Sequence, residues 1–159
     1  MKKIILVAIC ALLTLVTKAQ TQAEDLKYLQ NMFGMEKKQV VAERMKISEA
    51  ESAKFWKLYD EYELFRSEIS DKRAENIQQY VKNYTNITEA KADELLKNTF
   101  EINDEIAKLW QKTYKTMSKE LSAKIAGQFI YLEMYFEAIG RQKLAESIPH
   151  IGTTEPLKK

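Results

Sequence analysis

Residues 47–88 read ISEAESAKFWKLYDEYELFRSEISDKRAENIQQYVKNYTNIT, and this stretch settles the fold class. Phe55, Leu58, Tyr59, Tyr62, Phe65, Ile69, Ile77, Tyr80 and Tyr84 recur at steps of three and four around one polar gap. That spacing brings apolar side chains onto one face of an α-helix. No glycine or proline interrupts the run. At its start, Ser48 stands three residues before Glu51, the reciprocal pattern in which a hydroxyl and a carboxylate satisfy free first-turn amides. A helix from about Glu49 to Asn83 would extend roughly 50 Å at about 1.5 Å per residue.

The same start signal, an aliphatic residue followed by Ser or Thr and a helix-favouring run, recurs at Ile87-Thr88-Glu89 and at Leu121-Ser122-Ala123. It predicts a third helix over about Glu89 to Glu120 and a fourth over about Ala123 to Ser147. The third carries Leu95, Leu96, Phe100, Ile102, Ile106, Leu109, Trp110, Tyr114 and Met117, an arc wide enough to meet two partners. Asn83 to Thr88 is a short connection, which favours antiparallel packing of the second and third helices. A first helix is expected from about Thr21 to Lys46, with Gly34 as its weak point. The expected fold is all-α: an elongated antiparallel helical hairpin with two further helices.

Composition agrees. In 159 residues there are 4 Gly and 2 Pro, against about 11 and 8 at average usage. The first proline is Pro149, so the strongest backbone breaker is missing from the whole stretch before it. One cysteine and one histidine leave almost no material for a disulfide framework, a Cys/His metal cluster or a Cys-His catalytic pair. Glu-x-x-His pairs of the di-iron kind do not occur. His150 sits beside Pro149 without motif context. No catalytic group, metal or cofactor is expected.

Met1-Lys2-Lys3, an apolar run from Ile4 to Val16 broken only by Thr14, and Thr17-Lys18-Ala19 have the layout of a secretory signal peptide. The run is shorter than the roughly 18–20 residues of a permanent membrane anchor. Domain expectations follow: residues 1–19 a signal peptide, 20–148 one helical domain, 149–159 a polar tail. Removing the leader leaves 140 residues, and with Lys2, Lys3 and Lys18 gone, 22 basic residues face 23 acidic ones for a net charge of −1. No cationic excess survives to bind nucleic acid, and an exported form without a transmembrane segment is expected.

Three features carry candidate function. Arg66 and Arg73 fall on the apolar stripe of the second helix; a guanidinium there must snorkel, pair with a facing carboxylate or carbonyl, or stay wet in an open groove. The wet alternative makes them candidate contacts for polypeptide. Glu101, Glu105, Lys108, Lys112, Lys115 and Lys119 share a face of the third helix, acids first, as a solvated surface in the helix dipole requires. On the fourth helix, Ile125, Phe129, Leu132, Phe136 and Ile139 form one face, expected to pack inward. Tyr131, Met134, Tyr135 and Ala138 lie on a neighbouring one. One core absorbs the first face. The second is either buried beneath the first helix or serves as a dimer interface or a surface for nonpolar segments of other proteins.

Ile47-Ser48-Glu49-Ala50-Glu51, with Phe55, Leu58 and Tyr59 behind it, resembles the LTxxQ repeat of the Spy/CpxP family of bacterial periplasmic proteins. Leu121-Ser122-Ala123-Lys124-Ile125, continuing to Phe129, Leu132 and Glu133, looks like a second copy. Serine stands in both where the motif has threonine, and Glu51 and Ile125 occupy the glutamine positions. The resemblance implies a homodimer of antiparallel helices shaped as a cradle, binding unfolded or partly folded envelope proteins without ATP, or restraining one envelope-stress partner. It also implies that Ser48 and Ser122 are motif caps, as Thr88 is a cap by position. The expected function is therefore that of a periplasmic holdase or stress accessory. A structural or regulatory module for one dedicated envelope partner is the alternative.

Overall fold

The computed structural model describes residues 36–148. The expected leader, the start of the first helix with Gly34, and the tail from Pro149 onward lie outside the described residues. Every regular element among the described residues is helical: residues 36–45 (α1), Glu49–Asn83 (α2), a 3-10 turn at Tyr84–Asn86, Glu89–Glu120 (α3) and Ala123–Ser147 (α4). The chain is all-α. Within α1, Gln39 Nε2 donates to Glu43 Oε1 at 3.3 Å across one turn. Lys46 follows with φ at +46°, the left-handed conformation in which helices commonly terminate.

The three helix starts are built by their caps in two different ways. Thr88 Oγ1 accepts from the Lys91 amide and Ser122 Oγ from the Ile125 amide, each at 3.2 Å. Ser48 departs from this pattern. Its hydroxyl donates to the Glu51 carboxylate, while the Glu51 amide bonds the Ser48 carbonyl at 3.1 Å. The hydroxyl proton goes to the carboxylate three residues on, a charge-assisted acceptor, and no amide donates to the Ser48 hydroxyl oxygen.

α2 and α3 form the antiparallel hairpin, tied along their length. Lys54 Nζ lies 3.4 Å from Glu120 Oε2 and Lys72 Nζ 2.7 Å from Glu105 Oε1, and Asn76 Nδ2 donates to the Leu95 carbonyl at 3.0 Å. α4 folds back against α3 and so runs parallel to α2. No Cα of α2 lies within 8 Å of one in α4. The space between them is filled by long side chains. Phe129 meets Phe55 and Tyr59 edge-on, with centroids 5.9 Å apart in both pairs, and Tyr62 at 5.1 Å. Each such pair adds about 0.5–1.5 kcal/mol beyond the area it buries.

In α2 and α3 the faces follow sequence periodicity in part, since Phe65, Leu96, Phe100 and Tyr114 on the expected stripes stay exposed. Phe55, Tyr59, Tyr62 and Ile69 are buried on α2, and Leu95, Ile102, Ile106, Leu109, Thr113 and Met117 on α3. α4 is different. Its fully buried positions are Ala126, Phe129, Ile130, Glu133 and Glu137. Ile125, Leu132, Phe136 and Ile139, expected to face the core with Phe129, are only half-buried. The helix is rotated so that two carboxylates point inward, a consequence of the arginines that α2 presents to it.

α4 is also shorter, at 25 residues against 35 and 32. Tyr62 to Glu133 and Arg66 to Glu137 are both pairs 71 positions apart. The same offset sets Ser147 level with Asn76, seven residues before α2 ends at Asn83. Beyond that level the seam between α2 and α3 has no third helix over it among the described residues.

Candidate functional site

The outer face of α4 concentrates the exposed apolar groups of that helix. Tyr131 is 77% exposed, Tyr135 60% and Met134 41%, and Ala138 is exposed one turn further on. Positions 131, 135 and 138 follow the four-then-three step, so they line up as one stripe along the helix, with Met134 beside it. Tyr135 touches the half-buried Phe136, ring centroids 6.1 Å apart. Isolated exposed apolar residues need no explanation, whereas a stripe of them on one helix is a candidate interaction surface.

That surface is spare because the inner face of α4 is fully committed. Tyr62 Oη donates to Glu133 Oε2 at 2.7 Å and accepts from Trp110 Nε1 at 3.2 Å. One turn on, Glu137 collects three guanidinium groups. Arg66 Nη2 is 2.6 Å from Oε2, while Arg73 Nη1 at 2.7 Å and Arg141 Nε at 2.8 Å share Oε1. Arg66 also reaches Ser70 Oγ, and Arg141 Nη2 donates to Asn103 Oδ1 at 2.7 Å. Arg66 and Arg73 are thus paired with a facing carboxylate rather than standing as wet cations.

Electrostatics match this geometry. Desolvation pushes the Glu137 carboxyl up, but the hydrogen bond from Arg141 and the charges of Arg73 and Arg66 outweigh it and hold it below the usual carboxylate range. Burial pulls the Arg73 guanidinium down from its ordinary value, Glu137 opposes this, and Arg66 and Arg141 add to it. Tyr62 is pushed well above an ordinary phenol by burial and then by Glu133; Tyr59 is raised by burial, then by Glu63, Glu133 and Asp60. Both phenols stay neutral, and Tyr62 keeps the proton it donates to Glu133.

Arg73 has a second role in the geometry. It lines a cavity of about 470 Å³ where α4 runs out, walled by Ile77, Tyr80, Leu95, Leu96, Leu144 and Ile148 among others. Its Nη2 atom is buried and makes no hydrogen bond among the described residues.

The cap residues Ser48, Glu51, Thr88 and Ser122 shape helix ends and lie outside this machinery. On the charged face of α3, Glu105 pairs with Lys72 and Lys112 Nζ sits 4.8 Å from the centre of the exposed Phe65 ring. Among the described residues no group of three or more His, Cys, Asp and Glu side chains is placed to hold a metal ion, and no helix is long and apolar enough to cross a membrane. Glu137, Glu133, Trp110 and Arg141 were missed as partners by sequence reasoning. The signal for the first two was the demand of Arg66 and Arg73 for a facing carboxylate, which two acids spaced i, i+4 on the neighbouring helix are able to meet. No protein-family model, curated protein or solved structure matches the chain.

Proposed function

We propose that this protein is an exported, ATP-independent holdase of the Spy/CpxP kind, which binds unfolded or partly folded envelope proteins on the outer face of α4. One observation carries the reading: Tyr131, Met134 and Tyr135 are exposed as a contiguous stripe on a helix whose inward face is already full. Tyrosine offers an apolar body with a polar tip, and methionine an adaptable thioether. Together they suit partners that differ in sequence. Arg66 and Arg73 serve the reading indirectly, by holding α4 in the rotation that turns the stripe outward.

The test is suppression of aggregation of a denatured client by the purified protein at equal and several-fold molar ratio, with a known holdase alongside. The wild type is expected to suppress, and the triple variant Tyr131→Ser, Met134→Ser, Tyr135→Ser to lose most of that effect. No suppression by the wild type at several-fold excess overturns the reading.

A second reading is favoured by the stripe's width. A seam one helix wide fits a single partner helix, whether from one dedicated envelope protein or a second copy of this chain. Crosslinking in cells separates these: many recovered clients support the holdase, one dominant species the dedicated partner. Light scattering on the purified protein reports the expected homodimer.

A further inference from the structure

The cavity at the turn end of the hairpin exists because α4 stops early. Its walls are the last inward positions of α2, the first of α3 and the C-terminal residues of α4, which would otherwise be covered by another turn or two of helix. At about 470 Å³ it falls within the roughly 300–1,000 Å³ of small-molecule sites, and its surface is almost wholly apolar.

Its charged groups are all at the ends. Arg73, Asn103 and Arg141 line it at one level, where Arg141 bonds Asn103 and both arginines share Glu137. Tyr80 and Ile148 stand seven residues further along their helices, about 10 Å away at 1.5 Å per residue. Asp93, at the far end, is paired with Lys97 at 2.7 Å. Asn76 has its amide taken by the Leu95 carbonyl and Thr99.

The arginine end is under-neutralised. Arg66, Arg73 and Arg141 converge on the single carboxylate of Glu137, and the next acid, Glu133, bonds Tyr62. Arg73 Nη2 is buried with no hydrogen-bond partner among the described residues, and an unsatisfied buried donor is costly. An incoming anion at this end relieves the charge excess. A cationic head group adds to that excess, and a neutral one accepts a hydrogen bond without offsetting the charge.

We propose that this cavity binds a single-chain aliphatic carboxylate, its head group on Arg73 and Arg141 and its tail along Ile77, Tyr80 and Leu95 toward the turn. The site is separate from the outer face of α4 and does not depend on the holdase reading. The probe is decanoate below its micelle concentration, titrated calorimetrically into the purified protein. Saturable one-to-one binding is expected, about tenfold or more tighter than for decanol, because a charge-assisted hydrogen bond to the head group is lost with the alcohol. Decyltrimethylammonium is expected not to bind.

Arg73→Met is expected to weaken decanoate binding about tenfold or more by the same argument. Because that change also disturbs the Glu137 cluster, Leu96→Glu provides an independent variant: Leu96 is 53% exposed at the cavity rim, so the fold tolerates the charge while the carboxylate ligand is repelled. Tyr131→Ser leaves binding intact. Absence of saturable binding, equal affinity for decanoate and decanol, or binding undiminished in Leu96→Glu overturns the proposal.

Discussion

The two faces of α4 depart from the usual arrangement of a surface helix. Beside Ala126, Phe129 and Ile130 the inward face carries two buried carboxylates, Glu133 and Glu137, while the outward face carries Tyr131, Met134 and Tyr135. Hydrophobicity alone would turn the helix by about a quarter turn, to bring Ile125, Leu132, Phe136 and Ile139 fully inward beside Phe129. What decides the rotation is the neighbour: α2 brings Tyr62, Arg66 and Arg73 to the interface, and a buried guanidinium without a carboxylate costs more than an exposed tyrosine. Because no Cα of the two helices comes within 8 Å, only long side chains bridge the gap, and a charged pair with several methylenes reaches as far as an aromatic one. The comparison teaches that α4 is oriented by its ion pairs, and that its aromatic stripe is left over for use elsewhere.

Changes on the inner face should therefore cost stability and changes on the outer face should not. The largest loss is expected for Phe129→Ala, about 3–5 kcal/mol for removing a ring from a packed core, read as a fall in the urea midpoint. Glu137→Ala follows at about 3 kcal/mol, the lower end of the range for stranding buried partners, since Arg141 is half exposed. Tyr62→Phe leaves Glu133 Oε2 and Trp110 Nε1 without the hydroxyl that links them and is expected to cost about 1–3 kcal/mol. Tyr131→Ser and Tyr135→Ser should stay within about 0.5 kcal/mol of wild type. Thermal unfolding that ranked these changes in the opposite order would break the comparison.

Acid sharpens it further. The Glu137 carboxyl is held below its ordinary value of 4.5 in the folded state, so its contribution to stability is complete above the unfolded value and is lost as pH falls through the folded one. The gap in melting temperature between wild type and Glu137→Gln should be widest near neutral pH and should narrow as pH falls below the ordinary carboxylate value of 4.5. A gap independent of pH would mean that the cluster holds α4 by shape alone.

Much of the fold was legible beforehand. Helix limits at Glu49, Asn83, Glu89, Glu120, Ala123 and Ser147 were readable from three cap signals and an interior free of proline, because these act within a few residues of themselves. The buried positions of α2 and α3 lie on stripes readable for the same reason, but periodicity did not show that Phe65, Leu96, Phe100 and Tyr114 on those stripes stay exposed. The inward face of α4 was not readable, because its apolar residues occupy more than half its circumference and periodicity cannot choose between two greasy arcs. Only pairing with residues 71 positions away makes the choice. The cavity was invisible for a related reason: each helix length could be read, but not the register that leaves α4 short of the turn.

The central claim is that unfolded polypeptide lies along the outer face of α4, and site-specific photo-crosslinking tests it most directly. A photoreactive phenylalanine is placed at position 131, at 135, or at the exposed position 61 on α2, and each protein is irradiated with a denatured client. The account expects client adducts from positions 131 and 135 and few from 61. Adducts formed equally from all three positions, or from none while aggregation is still suppressed, would contradict it.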